Sequence, residues 1–264
     1  MSLTKSLENR RILVVGGAGL LGKEFCGELI NSGATVIAAD LNLLGLNHLK
    51  LAFPKLFVLE LDITSESSLI EGMSKIKETI GSLDGIVVST GIDPKVSTDE
   101  SDLFTKLEDF PLKQWEVEVA SGLTGPFLLL KHCSDLLTKG SSVVIISSDL
   151  SVISPDQRLY NLGKSEFTNF KPITYSAIKS GLVGIVKYLS TYWAPRNIRV
   201  NTLSPGGVAN GQPENFIKEL QTRIPLGRLA QKDEYNKAVT FLLSEDSRYM
   251  TGQNLVIDGG RSVW

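Results

Sequence analysis

The sequence predicts an α/β fold, a doubly wound parallel sheet of about seven strands with helices on both faces. Three observations predict it. Short apolar runs alternate with stretches of helical periodicity along the 264 residues, the order that a parallel sheet with crossover helices requires. A glycine-rich turn joins the first apolar run to the first helical stretch. No linker, repeat or low-complexity segment interrupts the alternation, so residues 1–264 read as one domain, and 42% apolar residues supply its core.

Ile12 to Val15 is the first strand, apolar throughout as a strand covered on both faces must be. Leu20, Leu21, Phe25, Leu29 and Ile30 then recur at helical spacing, and Thr35 to Ala39 is the second strand, ending in Asp40. Leu43 to Leu51 is a helix that Pro54 ends. Lys55 to Leu61 is the third strand, followed by Asp62, and Thr64 or Ser65 caps a helix running to about Ile80. Leu83 to Ser89 is the fourth strand, followed by Thr90, Gly91 and a loop containing Pro94. Trp115 to Leu137 reads as one long helical region in which Gly122, Gly125 and Pro126 predict a bend or a close helix approach. Ser141 to Ser147 is the fifth strand, and an irregular polar stretch runs from Asp149 to Pro172. A helix from Ile173 to Trp193, closed by Pro195, leads to the sixth strand, Asn197 to Leu203. Helical segments at Gln212–Arg223 and Asp233–Leu243 precede the last strand, Asn254 to Ile257.

Composition narrows the function classes. The formal net charge is −2 and no Lys/Arg cluster forms a basic face, which argues against nucleic acid as partner. Cys26 and Cys133 sit in apolar helical patterns as buried free thiols, and with two His at these spacings they make no metal site. The N-terminal stretch has no signal-peptide core and no run spans a bilayer, so a cytoplasmic protein without membrane contact is expected.

The turn after the first strand has the spacing G-x-x-G-x-x-G at Gly16, Gly19 and Gly22, and Asp40 follows 18 residues after Gly22. Strand, glycine turn, helix, strand and acid, in that order, make a Rossmann-type dinucleotide site. Glycines admit backbone close to a pyrophosphate, and the helix N-terminus offers unpaired N–H groups. A carboxylate at the second strand's end accepts bonds from the adenosine ribose and repels a 2′-phosphate, which favours NAD over NADP. A ligand-free glycine turn is the alternative that the spacing alone leaves open.

Tyr175 and Lys179 stand one helical turn apart on a common face. A phenol has a pKa of roughly 10, and a nearby ammonium favours the phenolate, which suits proton transfer at a substrate hydroxyl. Such pairs also arise by chance in helices. Ser148 adds weight, because it ends the fifth strand at the sheet edge where ligands bind in open α/β folds.

With these residues the chain resembles the short-chain dehydrogenase/reductase family over nearly its full length. The stretches carrying the likeness are LVVGGAGLLG, LDIT, IISS, YSAIK, NIRVNTLSPGGV, GRLAQKDEY and TGQNLVIDGG. The glycine spacing is nearer the longer, sugar-nucleotide branch; the length and C-terminal half resemble the shorter branch. The resemblance implies Tyr175 as general acid/base, Lys179 on the nicotinamide ribose and Ser148 on the substrate oxygen. It implies Gly16, Gly19, Leu21 and Gly22 along the pyrophosphate and Asp40 on the adenosine ribose. Asp62 and Ile63 would border the adenine, and Thr90 and Gly91 the cofactor ribose. Pro205, Gly206 and Val208 would frame the nicotinamide. It further implies a homotetramer or homodimer built through the Trp115–Leu137 and Ile173–Trp193 helices, with the tail Arg261 to Trp264 against a partner.

The chain departs from the family pattern in four places, one of them after Ser-Pro-Gly, where the usual Thr near the cofactor amide is replaced by Asn210 or missing. Val88-Ser89-Thr90-Gly91 stands where Asn-Asn-Ala-Gly is usual. Gly122 takes the position of the usual catalytic Asn, so a freed backbone carbonyl or Ser121 has to hold the relay water. Ser148 and Tyr175 are 27 residues apart, about twice the usual interval. The surplus in the enlarged loop at about 149–172 begins beside one catalytic residue and ends beside the other, so it hangs over the active-site mouth. Its polar composition favours a hydrophilic substrate held by Arg158 or Lys164; a solvated loop or an oligomer contact is the alternative. The insert and the DGGRSVW ending also resemble oxidoreductases of flagellin modification and surface-sugar synthesis.

The expectation is an NAD(H)-dependent oxidoreductase that interconverts a secondary alcohol and a ketone on a polar metabolite, a sugar or sugar phosphate derivative. The rival enzyme is a 3-oxoacyl or steroid-type carbonyl reductase. A rival of another class is an NAD(H)-sensing protein without turnover, for which Gly122 is the supporting feature.

Overall fold

The structure, a computed structural model, describes residues 6–92 and 105–263. Its sheet has seven strands in the order β3-β2-β1-β4-β5-β6-β7. They are β1 (Arg11–Val15), β2 (Thr35–Asp40), β3 (Phe57–Glu60), β4 (Leu83–Val88), β5 (Leu137–Ile146), β6 (Arg199–Pro205) and β7 (Asn254–Ile257). All neighbours pair in parallel. The chain winds outward from β1 to β3, then returns to β4 and winds the other way. The switch point therefore lies between β1 and β4, where a crevice opens at the C-terminal strand ends.

The helices are α1 (Leu20–Asn31), α2 (Leu43–Ala52), α3 (Glu66–Thr79), α4 (Leu112–Val119), α5 (Gly125–Cys133), α6 (Ile173–Tyr192), α7 (Glu214–Gln221) and α8 (Asn236–Leu243). Alternate residues of each central strand enter opposite cores. Leu13, Val15, Ile86 and Val143 pack with Leu129 and Leu182 on one face. Ile12, Val14, Val87 and Val144 pack with Phe25, Leu46 and Leu242 on the other. Burial on both faces is why the strand sequences are apolar without alternation. Ser65 caps α3, accepting a bond from the Ser68 N–H at 3.3 Å. Cys26 and Cys133 are free and buried, and burial pushes both thiols up to about 12.

The single helical region expected over Trp115–Leu137 is divided. A π turn, Ala120–Thr124, separates α4 from α5, and the chain enters β5 at Leu137 rather than Ser141. Pro126 has no N–H to give the preceding turn, and Gly122 lets α6 approach: a Cβ there would stand 2.9 Å from Ile178 Cγ2. Polar side chains draw the extra residues into β5. Thr138 Oγ1 donates to Asp84 Oδ1 at 3.1 Å and Ser141 Oγ to Leu83 O at 2.9 Å. The loop around Pro94 and the terminal Trp264 lie outside the described residues. Among the described residues no helix is long and apolar enough to cross a membrane.

The 149–172 insert contains no α-helix or strand, only two short 3-10 turns. It packs on α7 through Leu159, which joins Phe216, Leu220, Ile224 and Leu229 in a small third core. Asp156 holds Arg223 of the segment after α7 at 2.6 Å. The Asn161 side chain donates to Gln157 O and Asn169 O and accepts from the N–H groups of Thr168 and Asn169, its full complement. The insert is thus a packed element, and much of its polarity is consumed internally.

Candidate active site

The glycine turn brings β1, β4 and α1 into contact. Gly16 adopts φ +82°, and a Cβ there would lie 2.3 Å from Ser89 O; one on Gly22 would lie 2.0 Å from Gly16 O. No side chain caps α1 at Gly19, so its first N–H groups face the crevice. The Asp40 carboxylate, at the end of β2, accepts from the Ala18 N–H at 3.0 Å and the Asn42 N–H at 2.9 Å. Each carboxylate oxygen keeps a further lone pair for a ribose hydroxyl.

A cavity of about 410 Å³ opens at the switch point. Gly19, Leu21, Thr90, Gly91, Ser148, Tyr175, Lys179, Pro205, Gly206 and Val208 line it together. Gly16 and Gly22 shape the turn from beneath. Asp62 stays half-buried beyond β3, its Oδ1 accepting from the Thr64 N–H at 2.8 Å, and Ile63 is buried against Gly125 at the start of α5. Thr90 Oγ1 is buried without a hydrogen-bond partner, an orphan that a bound polar group would satisfy. That hydroxyl, the uncapped helix, the glycine cradle and the ribose-height carboxylate fit a dinucleotide.

Tyr175 and Lys179 lie on one face of α6, with Lys179 Nζ 5.6 Å from the phenol ring centroid. Lys179 Nζ donates to Ile146 O at 3.3 Å, and Ser147 Oγ donates to Lys179 O at 2.7 Å, so β5 holds the lysine from both ends. A Cβ on Gly91 would stand 3.6 Å from the ammonium, which places Lys179 beside the end of β4. Upstream, buried Glu118 of α4 accepts from Gln114 Nε2 at 2.8 Å and from the Thr174 hydroxyl, tying α4 to the residue before Tyr175.

Ser148 sits between two bonds. Its Oγ donates to Asp149 Oδ1 at 2.9 Å and accepts from the Leu150 N–H at 3.2 Å. Asp149 Oδ2 pairs with Arg261 Nη1 at 2.8 Å, with the side chains only 4% and 10% exposed. Burial raises the Asp149 carboxyl above the ordinary carboxylate value, while Arg261 and Ser148 hold it down.

Arg158 and Lys164 are placed elsewhere. Arg158 is exposed and bidentate to Asp156 of its own loop, and Lys164 Nζ donates to Thr168 Oγ1 at 3.3 Å; neither lines the cavity. The insert contributes Leu159, Tyr160 and Lys171 instead. Lys171 is buried, with Nζ 4.1 Å from the Tyr175 centroid. Sequence reasoning passed over it, because it lies ahead of α6, before the extended Pro172, where no helical spacing relates it to Tyr175. Ser121, an expected substitute for the usual Asn, donates to Glu118 O at 3.2 Å, a bond within the helix. A second cavity of about 680 Å³ adjoins the first across Leu150 and Lys171, with Ser151, Ser154, Gln157 and Ser176 among its lining.

Lys171 sets a second ammonium beside the phenol ring, and a nearby cation favours an anion. Lys171→Met is therefore expected to move the rising limb of the pH–kcat/KM profile for alcohol oxidation to higher pH. A profile measured on both proteins checks this; superimposable limbs refute it.

Comparison with known proteins gives a consistent picture. A family profile described as enoyl-(acyl carrier protein) reductase matches residues 18–262. An uncharacterised short-chain type dehydrogenase/reductase of Sinorhizobium fredii is 30% identical over 260 residues, 95% of this chain, which spans 43% of that relative's length. An NAD-dependent glycerol dehydrogenase of Listeria innocua is 27% identical over 269 residues, covering 98% of this chain and 96% of its own. A short-chain dehydrogenase from Leptospira borgpetersenii, solved with bound NAD+, matches with TM-score 0.85 and 27% identity over 100% of this chain and 96% of that one.

Proposed function

The chain belongs to the short-chain dehydrogenase/reductase family, and from that premise we propose an NAD(H)-dependent oxidoreductase that interconverts a secondary alcohol and a ketone on a polar metabolite, a sugar or sugar phosphate derivative. The observation that carries the reading is the single cavity in which Ser148, Tyr175 and Lys179 meet the glycine turn and the orphaned Thr90 hydroxyl. When bound, the nicotinamide supplies a hydride acceptor or donor. The protein's own residues do the rest. Tyr175 exchanges the proton at the substrate oxygen, and Lys179 and Lys171 favour its phenolate. The uncapped start of α1 binds the pyrophosphate, and Asp40 the adenosine ribose.

A polar substrate is supported by Lys171, Asn210 and Gln212 on the cavity wall and by the hydroxyl-rich second cavity. The glycerol dehydrogenase among the relatives agrees with it. One observation favours the acyl-type reading: Leu159, Phe216 and Leu220 form an apolar wall. NADH formation across polyols, sugar phosphates and apolar secondary alcohols separates the two, and preference for the apolar set overturns the polar reading. Exposed Leu112, Val117 and Phe127, and the stacked Tyr188–Tyr192 pair on α6, support assembly as a homotetramer or homodimer through these helices.

Asp40→Ala removes the charge facing a 2′-phosphate. Like-charge opposition costs several kcal/mol, so the NADP/NAD ratio of kcat/KM is expected to rise by roughly tenfold or more. Asp40 also braces the glycine turn, so the ratio, not the NAD rate, is the measurement. An unmoved ratio removes Asp40 as the selector.

A further inference from the structure

The insert joins helix α7 to the residue beside the Tyr175 ring. Residues 210–229 form an excursion between β6 and α8 that is closed at its base. There the Ala209 N–H donates to Ala230 O and the Ala230 N–H to Gly207 O, both at 2.9 Å. Helix α7 lies within the excursion, and its Phe216 and Leu220 reach the cavity wall. The insert is what α7 rests on. Leu159 packs with Phe216 and Leu220, and the Tyr160 and Phe216 ring centroids are 5.8 Å apart. Arg223 Nε donates to Asp156 Oδ2 at 2.6 Å. Both side chains of that pair are 19% exposed, so salt screens it less than an open surface pair.

From Asp156 the linkage runs inward. Asp156 Oδ1 accepts the Arg158 N–H at 3.1 Å and so caps the 3-10 turn Gln157–Tyr160. Gln157, the first residue of that turn, accepts the Lys171 N–H on Oε1 at 2.9 Å, across 14 positions of chain. A backbone N–H only donates, so this bond fixes which end of the amide faces Lys171. The Asn161 side chain ties the same two limbs of the insert, donating to Gln157 O and accepting from the Asn169 N–H. Lys171 is held in this way with Nζ 4.1 Å from the Tyr175 ring centroid.

We infer that Asp156 and Gln157 are positioning residues, through which the seat of α7 sets where Lys171 stands against Tyr175. Covering the cavity and preparing the phenol are then coupled by one hydrogen-bonded chain. Neither residue lines the cavity that holds Tyr175. The coupling rests on the oxidoreductase reading above, because it acts through Tyr175.

Gln157→Met removes the acceptor at nearly constant size, and Gln157→Glu keeps one. Asp156→Asn removes the charge that holds Arg223. The measurement is kcat with NAD and whichever of the polyols, sugar phosphates and secondary alcohols is oxidised fastest. It is made in the wild-type and in the Lys171→Met background. Gln157→Met and Asp156→Asn are each expected to lower kcat by about tenfold, the scale of one hydrogen bond. Gln157→Glu is expected to stay within about twofold of the wild type. In the Lys171→Met background the same losses are expected to shrink to less than about twofold, because residues acting through one group do not add. Equal losses in both backgrounds, or none in either, overturn the inference.

Hydrogen exchange at the Lys171 amide, read by NMR, follows the linkage without turnover and without Gln157→Met, should that variant not fold. Asp156→Asn is expected to speed exchange there by about tenfold. An unchanged rate refutes the linkage. A wild type that oxidises none of the alcohols counts against the oxidoreductase reading, and exchange at Lys171 then decides the linkage by itself.

Discussion

Tyr175→Phe is expected to lower kcat by about a thousandfold, the usual scale for loss of a positioned general acid/base. The substitution keeps the ring that Lys171 and Lys179 flank at 4.1 and 5.6 Å and removes only the oxygen. Lys179 remains anchored to Ile146 O, so the crevice keeps its shape. NADH affinity is therefore expected to stay within about threefold, on the view that the lost group acts in the transition state rather than in cofactor binding. Steady-state rates paired with a fluorescence titration of NADH check both halves. A variant that turns over at the wild-type rate ends the proton-transfer role of Tyr175; one that loses NADH binding instead assigns the residue to the cofactor.

The second large effect belongs to the glycine turn. Gly22→Ala places a Cβ 2.0 Å from the Gly16 carbonyl oxygen and 3.0 Å from Gly17 Cα, all backbone that no rotamer change relieves. Helix α1 must withdraw by about 1 Å, and misplacement on that scale costs about a hundredfold where geometry is matched to a ligand. A hundredfold weaker NADH Kd is the expected result, together with a lower Tm, because α1 also carries Phe25 and Leu29 into the core. Calorimetric titration and thermal unfolding measure the two. Unchanged NADH affinity in a folded variant would place the pyrophosphate somewhere other than this turn.

Much of the site was legible because its chemistry depends on local spacing. Gly16, Gly19 and Gly22 mark a turn whose backbone cannot accommodate side chains, and the close backbone approaches at Gly16 and Gly22 are the physical form of that pattern. Tyr175 and Lys179 share a helix face at any tertiary arrangement. Ser148 follows the last apolar residues of a strand, and strand ends in this fold line the crevice. The apolar runs of β1 and β4 announced burial on both faces, and both faces are covered.

The insert was legible only as an excess of residues. Composition read it as polar and placed Arg158 and Lys164 over the substrate; folding turns Arg158 onto Asp156 and directs Leu159, Tyr160 and Lys171 inward. Side-chain direction in an irregular segment has no period, so no count along the chain reveals it. The bend near Gly122 was foreseen, but its form as a π turn and the early entry into β5 depend on contacts with α6 and β4.

By itself the sequence determined the order of strands and helices, the parallel sheet, the glycine cradle and the Tyr–Lys pair, because periodicity, backbone sterics and helical pitch act within a few residues. Tertiary structure alone decided that Lys171 lies over the Tyr175 ring, that the insert docks on α7, and that Arg261 reaches Asp149 behind Ser148. Those are meetings of residues far apart in the chain, 67 positions for Asp156 and Arg223 and 112 for Asp149 and Arg261, or from a segment without a repeat. Their energies come from burial and charge pairing that exist only once the sheet has brought the segments together.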